Sequence, residues 1–303
     1  MAKKIKIVFF TILQLAVLKY SDLPAQNRDS WMPPPFPDIN RVIIFTDPLV
    51  FYPNDSNKAR LDIYIEVPIP NIIFKRNPTT QIFESSITIS INIRDLNEQT
   101  LNNKVFNDQT SYTEEEMNNE KDGSLYYLKT FYQNPGISFL NLKVRDNNSG
   151  REFSRQDTIN IKDKSRQNIL FSDIMILSDY KTDSEGKKEI TPLVNNNAFY
   201  LTNFYIFFEI YNNSDSTITK QYAYQIKNDN DKIVSEGSFV YNLIKDKNKE
   251  FEKLDFFNHE PSKYKIELLD MESGEVMISK QFIFAPNKLL HRGIPTERHD
   301  HRN

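Results

Sequence analysis

The stretch PGISFLNLKVRDNNSG, residues 135–150, decides the fold, because its pattern returns as PSKYKIELLDMESG at residues 261–274. Each stretch contains a proline, an alternating run of apolar residues, an aspartate and then Ser-Gly. Alternation with a period of two is typical of a β-strand with one buried face, and glycine in such a position is typical of a hairpin turn. The recurrence therefore predicts one strand–turn unit that is used twice.

Two further blocks recur in the same order along the chain. YIFFEIYN (205–212) resembles LDIYIEVP (61–68), and ITKQYAYQIKNDNDKIV (218–234) resembles ITISINIRDLNEQTL (87–101). The last pair aligns Ile93, Arg94 and Asn97 with Ile226, Lys227 and Asn230. Short alternating strands separated by turns rich in Gly, Asn and Asp predict an all-β protein with two tandem immunoglobulin-like antiparallel β-sandwich domains.

The N-terminus predicts export. MAKKIK is basic, residues 7–18 form a mostly apolar run, and Ala25 offers a cleavage point, which together are typical of a signal peptide. We therefore expect a periplasmic or extracellular protein. The predicted organisation is a signal peptide at 1–25, a Pro-rich linker at 26–40, sandwich domains at 41–163 and 168–285, and a flexible tail at 286–303.

Composition excludes several classes of function. The 303 residues include 38 basic and 41 acidic side chains, for a net charge of −3, which gives no electrostatic reason to expect a nucleic acid partner. The seven glycines form no phosphate-binding loop. There is no cysteine, so thiol nucleophiles, Cys-based zinc sites and a lipid-modified cysteine are excluded. We predict no cofactor and, after removal of the signal peptide, no transmembrane segment.

The histidines and carboxylates predict neither a metal site nor an active site. HDH at 299–301 lies too close to the C-terminus to hold a metal in fixed geometry. NDND at 228–231 lacks the glycine and the glutamate of a calcium loop. No GxSxG elbow accompanies His259. An enzyme would need a cleft in which carboxylates converge, or a nucleophile beside His259, so we predict a protein that is not an enzyme.

Aromatic residues offer the best candidates for contacts with a ligand or partner. The stretch 199–212 is the richest, and as a strand it places Tyr205, Phe207 and Glu209 on one face and Ile206, Phe208 and Ile210 on the other. One face is core; the other is either covered by a neighbouring domain, which we favour, or a ligand platform. Trp31 either packs on the first domain, the favoured alternative, or anchors a partner. The candidate contact residues are Tyr126, Tyr127, Tyr132, Phe256 and Phe257.

Several stretches resemble a known family. LDIYIEVPIPNIIFKRN, ITISINIRDLNEQTL, PGISFLNLKVRDNNSGREFSRQDTINI and ILFSDIMILSD resemble, in this order, the N-terminal region of GWxTD domain-containing proteins, which are secreted by bacteria. The Gly-Trp-x-Thr-Asp motif itself is absent, since the sole tryptophan is Trp31. The resemblance covers approximately residues 60–285 and implies export and tandem sandwiches, but it transfers no activity and no site residues.

The sequence thus predicts an exported, non-catalytic binding or scaffold protein of the bacterial cell envelope. It would contact another envelope protein through a strand edge or an aromatic patch, and ITISINI at 87–93 is a candidate if it lies at the edge of a sheet. The alternative is a carbohydrate-binding β-sandwich module, for which several of the candidate aromatic residues must lie exposed in one plane.

Overall fold

The computed structural model describes residues 44–54, 56–182, 184, 186, 188–256 and 259–285. All of them belong to one compact unit of the chain. The predicted signal peptide, the Pro-rich linker with Trp31 and the C-terminal tail with HDH lie outside the described residues, as does Phe257.

The described residues form 17 strands and one short α-helix. The elements are β1 (Phe45–Phe51), β2 (Ala59–Pro68), β3 (Lys75–Arg76), β4 (Phe83–Asp95), β5 (Thr100–Tyr112), α1 (Glu114–Glu120), β6 (Ser124–Gln133), β7 (Gly136–Asp146), β8 (Glu152–Ile161), β9 (Ile169–Phe171), β10 (Met175–Thr182), β11 (Lys188–Pro192), β12 (Asn203–Asn212), β13 (Ile218–Asn228), β14 (Ile233–Leu243), β15 (Asp246–Asp255), β16 (Ser262–Asp270) and β17 (Val276–Phe284).

These strands make four sheets that pack as two sandwiches. In the first sandwich the sheet β1-β2-β6 faces a sheet of order β3-β4-β7-β8, in which β5 also pairs with β4. In the second the sheet β11-β10-β12-β15, to which β9 adds through β12, faces β14-β13-β16-β17. The neighbouring strands of these sheets, as far as the structure describes them, pair antiparallel. The predicted fold class, two tandem immunoglobulin-like β-sandwiches, is confirmed.

The two sandwiches repeat the same pairings. The hairpin β4–β5 corresponds to β13–β14, β7–β8 corresponds to β16–β17, and the pair β4·β7 corresponds to β13·β16. The pair β2·β6 corresponds to β12·β15 in the same way. The register of the β4–β5 and β13–β14 hairpins even shifts at the residues that the sequence aligns, Ile93/Arg94 and Ile226/Lys227.

The turn that follows each of these shifts is built from the same hydrogen bonds. The Asp95 carboxylate accepts the N–H groups of Asn97 and Gln99, and the Asn228 side-chain oxygen accepts those of Asn230 and Lys232. The third turn residue has positive φ in both copies, 62° at Glu98 and 57° at Asp231. Asp and Asn side chains favour such turns because they can bond to the backbone two residues on.

The stretches quoted first also form matching turns. Asp146 and Asp270 each accept the N–H of the residue two positions on, at 3.0 Å and 2.8 Å. The glycine of each Ser-Gly then donates its N–H to the carbonyl of that aspartate, with φ of +76° at Gly150 and +72° at Gly274. Glycine adopts this left-handed conformation without steric cost. The recurrence in the sequence is therefore a recurrence of backbone geometry.

Alternation places the apolar side chains of both sandwiches inward. The first core contains Leu61, Ile63 and Ile65 of β2, and the second contains Ile206, Phe208 and Ile210 of β12, all fully buried. When LDIYIEVP and YIFFEIYN are aligned position by position, the buried Leu61 and Ile63 fall opposite Tyr205 and Phe207, which are on the other face of β12. The alignment is therefore shifted by one residue, and such a shift exchanges the two faces of a strand. The two strands are equivalent, but that alignment of their letters is wrong.

The structure also shows where two further segments lie. The polar stretch 111–123 contains helix α1, whose Thr113 and Glu116 form a reciprocal capping box. The candidate edge ITISINI at 87–93 lies in β4, which pairs with β5 on one side and β7 on the other. That edge prediction is wrong, because a central strand has no unpaired backbone to offer.

The matching turns predict matching costs of mutation. We expect Asp146→Ala and Asp270→Ala each to lower the free energy of unfolding by about 1–3 kcal/mol, because backbone N–H groups lose their acceptor. Chemical denaturation of the purified variants measures this. Glu272→Ala is the control in the same turn; its side chain is 82% exposed, so its ion pair with Lys220 is worth less than about 1 kcal/mol. Equal effects of all three variants would contradict the prediction.

Candidate functional site

The two sandwiches meet through the outer faces of β1 and β2 on one side and of β10 and β12 on the other. Leu49 and Phe51 of β1 form an apolar cluster with Met175 and Leu177 of β10 and Phe207 of β12. Phe207 is 8% exposed and Glu209, on the same face of β12, is 4% exposed. This face is therefore covered by the neighbouring domain, as the favoured interpretation of 199–212 expects. We call this contact the junction.

Hydrogen bonds fix the junction on both sides of the cluster. The N–H of Val50 donates to the Asp173 carboxylate at 2.8 Å, and the N–H of Asp173 donates to the carbonyl of Val50 at 3.0 Å. The N–H of Tyr52 donates to the Tyr211 hydroxyl at 2.8 Å, and the two rings meet edge to face at 5.5 Å. Leu170 and Tyr211 of the second sandwich also pack into the first core. The junction is thus continuous with a hydrophobic core.

Four carboxylates are buried at the junction, and each has a partner. The pairs are Asp47 with Lys280, Asp62 with Arg60 and Thr130, Glu66 with Ser124, and Glu209 with Lys247 and Tyr211. Burial raises the pKa of Glu66, against the hydrogen bond from Ser124. Burial also raises the pKa of Tyr64 to about 12, with the Asp62 charge adding to the effect.

A cleft of about 600 Å³ opens beside the junction. Its walls come from the first sandwich, from β12 and β15 of the second, and from the start of β11. The rings that line it are Phe51, Tyr64, Phe207 and Phe251. In the part of the chain that the structure describes, the charged side chains that line it are Arg60, Lys188, Lys247, Lys249 and one carboxylate, Glu209. We call this the basic cleft.

Cations cover the aromatic rings of the basic cleft. Phe51, Phe207 and Phe251 form a row with ring centroids 6.1 Å and 4.7 Å apart. The Lys188 ammonium lies 3.7 Å from the centroid of Phe251, and the Arg60 guanidinium lies 4.7 Å from that of Phe51. Such cation–π contacts hold the charges in place above an apolar floor.

The second candidate surface is the edge of β6. Among the described strands, it ends its sheet and pairs only with β2. On its outward face Tyr126, Leu128 and Tyr132 are 63%, 49% and 53% exposed. Beside them an apolar crevice of about 290 Å³ is closed by Pro192 and Val194 of the second sandwich. The edge therefore offers unpaired backbone groups next to a hydrophobic crevice.

The equivalent edge in the second sandwich has a different character. β15 has the sequence DKNKEFEKLD, in which seven of the ten residues are charged. β6 has the sequence SLYYLKTFYQ, in which Lys129 is the single charged residue. Lysines and inward-pointing charges on an edge strand prevent unwanted pairing with other chains. By this criterion β15 is strongly protected, whereas β6 has Lys129 alone, whose ammonium lies 4.4 Å from the centroid of the Phe106 ring.

Each sandwich is closed beside these edges by a tyrosine that bonds a carboxylate. In the first, the Tyr127 hydroxyl of β6 donates to Asp108 of β5 at 2.9 Å. In the second, the Tyr241 hydroxyl of β14 donates to Glu252 of β15 at 2.7 Å. Burial, with the bonded carboxylate adding to it, raises the pKa of both tyrosines. Donor and acceptor strands are exchanged between the two copies.

The sequence-predicted contact residues divide between surface and core. Tyr126 and Tyr132 are exposed on one face of β6, whereas Tyr127 points to the other face and packs against the first core. Phe256, directly after β15, is fully buried in the second core. Its prediction as a contact residue is therefore wrong. His259 stacks on Phe256 at 4.0 Å, and burial lowers its pKa. Phe257 lies outside the described residues.

The basic cleft was not predicted from the sequence. Lys247 and Lys249 alternate along β15, which is a signal of one shared face. Nothing in the sequence places Arg60 of β2 across from that face. Within the described part of the chain, no three His, Asp or Glu side chains come together as metal ligands, and no helix has the length and apolar character needed to cross a membrane.

Comparisons with known proteins leave the family open, since no family model and no curated protein matches the chain. A glycosyl hydrolase family 2 member from Bacteroides cellulosilyticus aligns with 77% of this chain and 30% of its own, at 10% identity and a TM-score of 0.29. Trypsin-activated alpha-2-macroglobulin from Escherichia coli aligns with 80% of this chain and 16% of its own, at 12% identity and a TM-score of 0.24. Red sea bream transglutaminase aligns with 80% of this chain and 31% of its own, at 6% identity and a TM-score of 0.24. The chain spans less than a third of each, and these scores assign no activity.

The inward carboxylates of β15 predict a pH effect. Burial and the neighbouring Glu252 raise the pKa of Glu250, against the Lys188 charge. The folded state therefore holds this proton more tightly than the unfolded state, so the ionised carboxylate lowers stability above its raised pKa. We expect Glu250→Gln to increase the free energy of unfolding at pH 7.

The gain from Glu250→Gln should shrink as the pH falls through the raised pKa to below the ordinary value of 4.5. Urea denaturation between pH 4 and pH 7 measures it. Glu236→Gln on β14, where the side chain is exposed, is the control and should show no comparable trend. A gain that is constant with pH would contradict the assignment.

Proposed function

We propose that this protein is a non-catalytic binding module that receives an extended segment of a protein partner along the edge of β6. The contrast between β6 and β15 carries the proposal. In a duplicated fold the two edges have the same place, yet one carries a single charged residue and the other carries seven. An edge that is left open while its copy is protected is suited to pairing with another chain.

The binding mode follows from the geometry of the edge. A partner strand would hydrogen-bond to the free backbone groups of β6 and extend the sheet β1-β2-β6, as in β-augmentation. Its side chains alternate, so every second one lies on the outward face with Tyr126, Leu128 and Tyr132. The crevice beside Pro192 and Val194 would accept one of them, which favours a partner segment with an apolar residue at alternate positions.

The proposal places this contact in the cell envelope. The basic start MAKKIK and the apolar run at 7–18 support export, and the resemblance to the N-terminal region of GWxTD domain-containing proteins agrees with it. The partner is then another envelope protein. Cell fractionation with an antibody against residues 44–285 tests the location, and recovery in the cytoplasm would contradict it.

The β6 edge predicts a specific loss of partner binding. A photo-crosslinking amino acid at Tyr132 should capture the partner in intact cells, and Leu128→Lys should reduce its recovery at least about 10-fold, because lysine reproduces the protection seen on β15. Val240→Lys is the matched control, since Val240 is 62% exposed on another edge strand, β14.

Hydrogen exchange supplies the second measurement for the β6 edge. In the purified complex the amides of residues 124–133 should gain protection, while those of β14 should not. Protection confined to other strands, or equal losses with Leu128→Lys and Val240→Lys, would overturn the proposal.

A second candidate function is carbohydrate binding, for which a groove on the first sandwich gives support. The groove, of about 390 Å³, lies on the outer face of β4, β7 and β8. It combines Phe139, which is 39% exposed, with polar side chains from Arg94, Asn141 and Gln156. An aromatic face beside planar polar groups is the composition that sugars require.

The groove makes its own prediction. Neutral polysaccharides in a native gel should retard the protein, and Phe139→Ala should abolish this by removing the aromatic surface. Val105→Ala on β5, where the side chain is 58% exposed, should leave the retardation intact. If no polysaccharide retards the wild-type protein, carbohydrate binding at this groove is excluded.

A further inference from the structure

We propose that the basic cleft binds a carboxylate-rich, extended peptide segment. This site is separate from the β6 edge and does not depend on it. Among the described residues, the cleft brings together four cations, Arg60, Lys188, Lys247 and Lys249, against one carboxylate, Glu209. Such a concentration of positive charge is local, because the chain as a whole has a net charge of −3.

The cleft has positive charge that its own carboxylate does not neutralise. Arg60 is paired with Asp62 at 2.9 Å, and Lys247 lies 3.8 Å from Glu209. The Lys188 charge acts on the neighbouring carboxylates Glu250 and Glu252, but neither Lys188 nor Lys249 forms an ion pair with another described residue. Both lysine side chains are exposed. Like charges gathered above an apolar floor repel one another, and an anion between them removes that repulsion.

The spacing of the lysines matches an extended peptide. Lys247 and Lys249 are two residues apart on β15 and point to the same face, so their attachment points are separated by about 6.6–6.8 Å. Alternate residues of an extended chain repeat at the same distance. A segment with Asp or Glu at every second position can therefore pair with both lysines at once.

The aromatic floor argues against a sugar as the occupant. Sugars stack on open ring faces, but the face of Phe251 is covered by Lys188 and that of Phe51 by Arg60. Phe207 is 8% exposed. The accessible groups of the cleft are therefore the charged heads of its basic side chains, which favour carboxylates over sugar rings.

The alternative explanation is that these side chains only shield the apolar floor, with their heads in water. The two explanations differ in a measurable way. Shielding lysines bind no anion beyond the general attraction of a charged surface, and that attraction is the same for any pair of exposed lysines. If the cleft is a specific site, removal of its own lysines weakens anion binding more than removal of lysines elsewhere.

The test is fluorescence anisotropy with labelled hexaglutamate and the full chain. We expect salt-sensitive binding that Lys247→Gln/Lys249→Gln weakens at least about 10-fold. The matched control is Lys104→Gln/Lys121→Gln, which removes the same charge from exposed lysines of the first sandwich and should change the affinity less than about 2-fold. Lys188→Gln provides an independent variant on β11 if the double variant fails to fold.

Three outcomes would overturn the proposal: no hexaglutamate binding, equal weakening by the two double variants, or binding of polygalacturonate but not hexaglutamate through the cleft lysines. Leu128→Lys separates this site from the β6 edge. It should leave hexaglutamate binding unchanged, so either site can fail without the other.

Discussion

The junction between the sandwiches is the contact on which the rest of the structure depends. It buries Asp47, Asp62, Glu66 and Glu209 between two sheets, where each carboxylate needs a partner to offset the cost of leaving water. Removing one partner of a buried charged pair costs about 3–5 kcal/mol, because the remaining charge stays buried. Of these carboxylates, Asp47 is paired across the junction, with Lys280 of β17, so this ion pair ties one sandwich to the other. Both candidate surfaces lie where the two sandwiches meet.

Both surfaces draw on the two sandwiches together. The crevice beside β6 is closed by Pro192 and Val194 of the second sandwich, and the basic cleft combines Arg60 of the first with Lys247 and Lys249 of the second. A single sandwich would present an exposed strand and scattered lysines. The two sandwiches share the same strand pairings, but their equivalent edge strands differ: β6 has one charged residue and β15 has seven.

The two sandwiches and their hairpin turns could be predicted from the sequence, because turns and alternation are local features of the chain. Asp146 and Asp270 bond within their own hairpins, so their chemistry is visible in a few letters. Contacts between distant strands are not visible in this way. Asp62 and Glu66 alternate with apolar residues as they would on a wet face, and nothing local shows that the second sandwich covers them.

The same limit explains the errors about edges and contacts. The stretch 87–93 is polar on one face because that face meets solvent, and a central strand shares this pattern with an edge strand. Tyr126 and Phe256 are both aromatic, but Tyr126 is exposed on the outward face of β6, whereas Phe256 directly follows β15 and is buried in the second core. Which strand ends a sheet is decided by pairing between residues far apart in the chain.

The exchanged tyrosine–carboxylate bonds bear on how such a duplicated chain folds correctly. Asp108 lies opposite Ile87 and Tyr241 lies opposite Lys220, positions that coincide when the copies are superimposed by Ile93 and Ile226. If a sheet of one copy were to close on a sheet of the other, Asp108 would meet Glu252 and Tyr127 would meet Tyr241. Two half-buried carboxylates would then repel each other, so the opposite polarity of the two closures guards against mixed assembly of the halves.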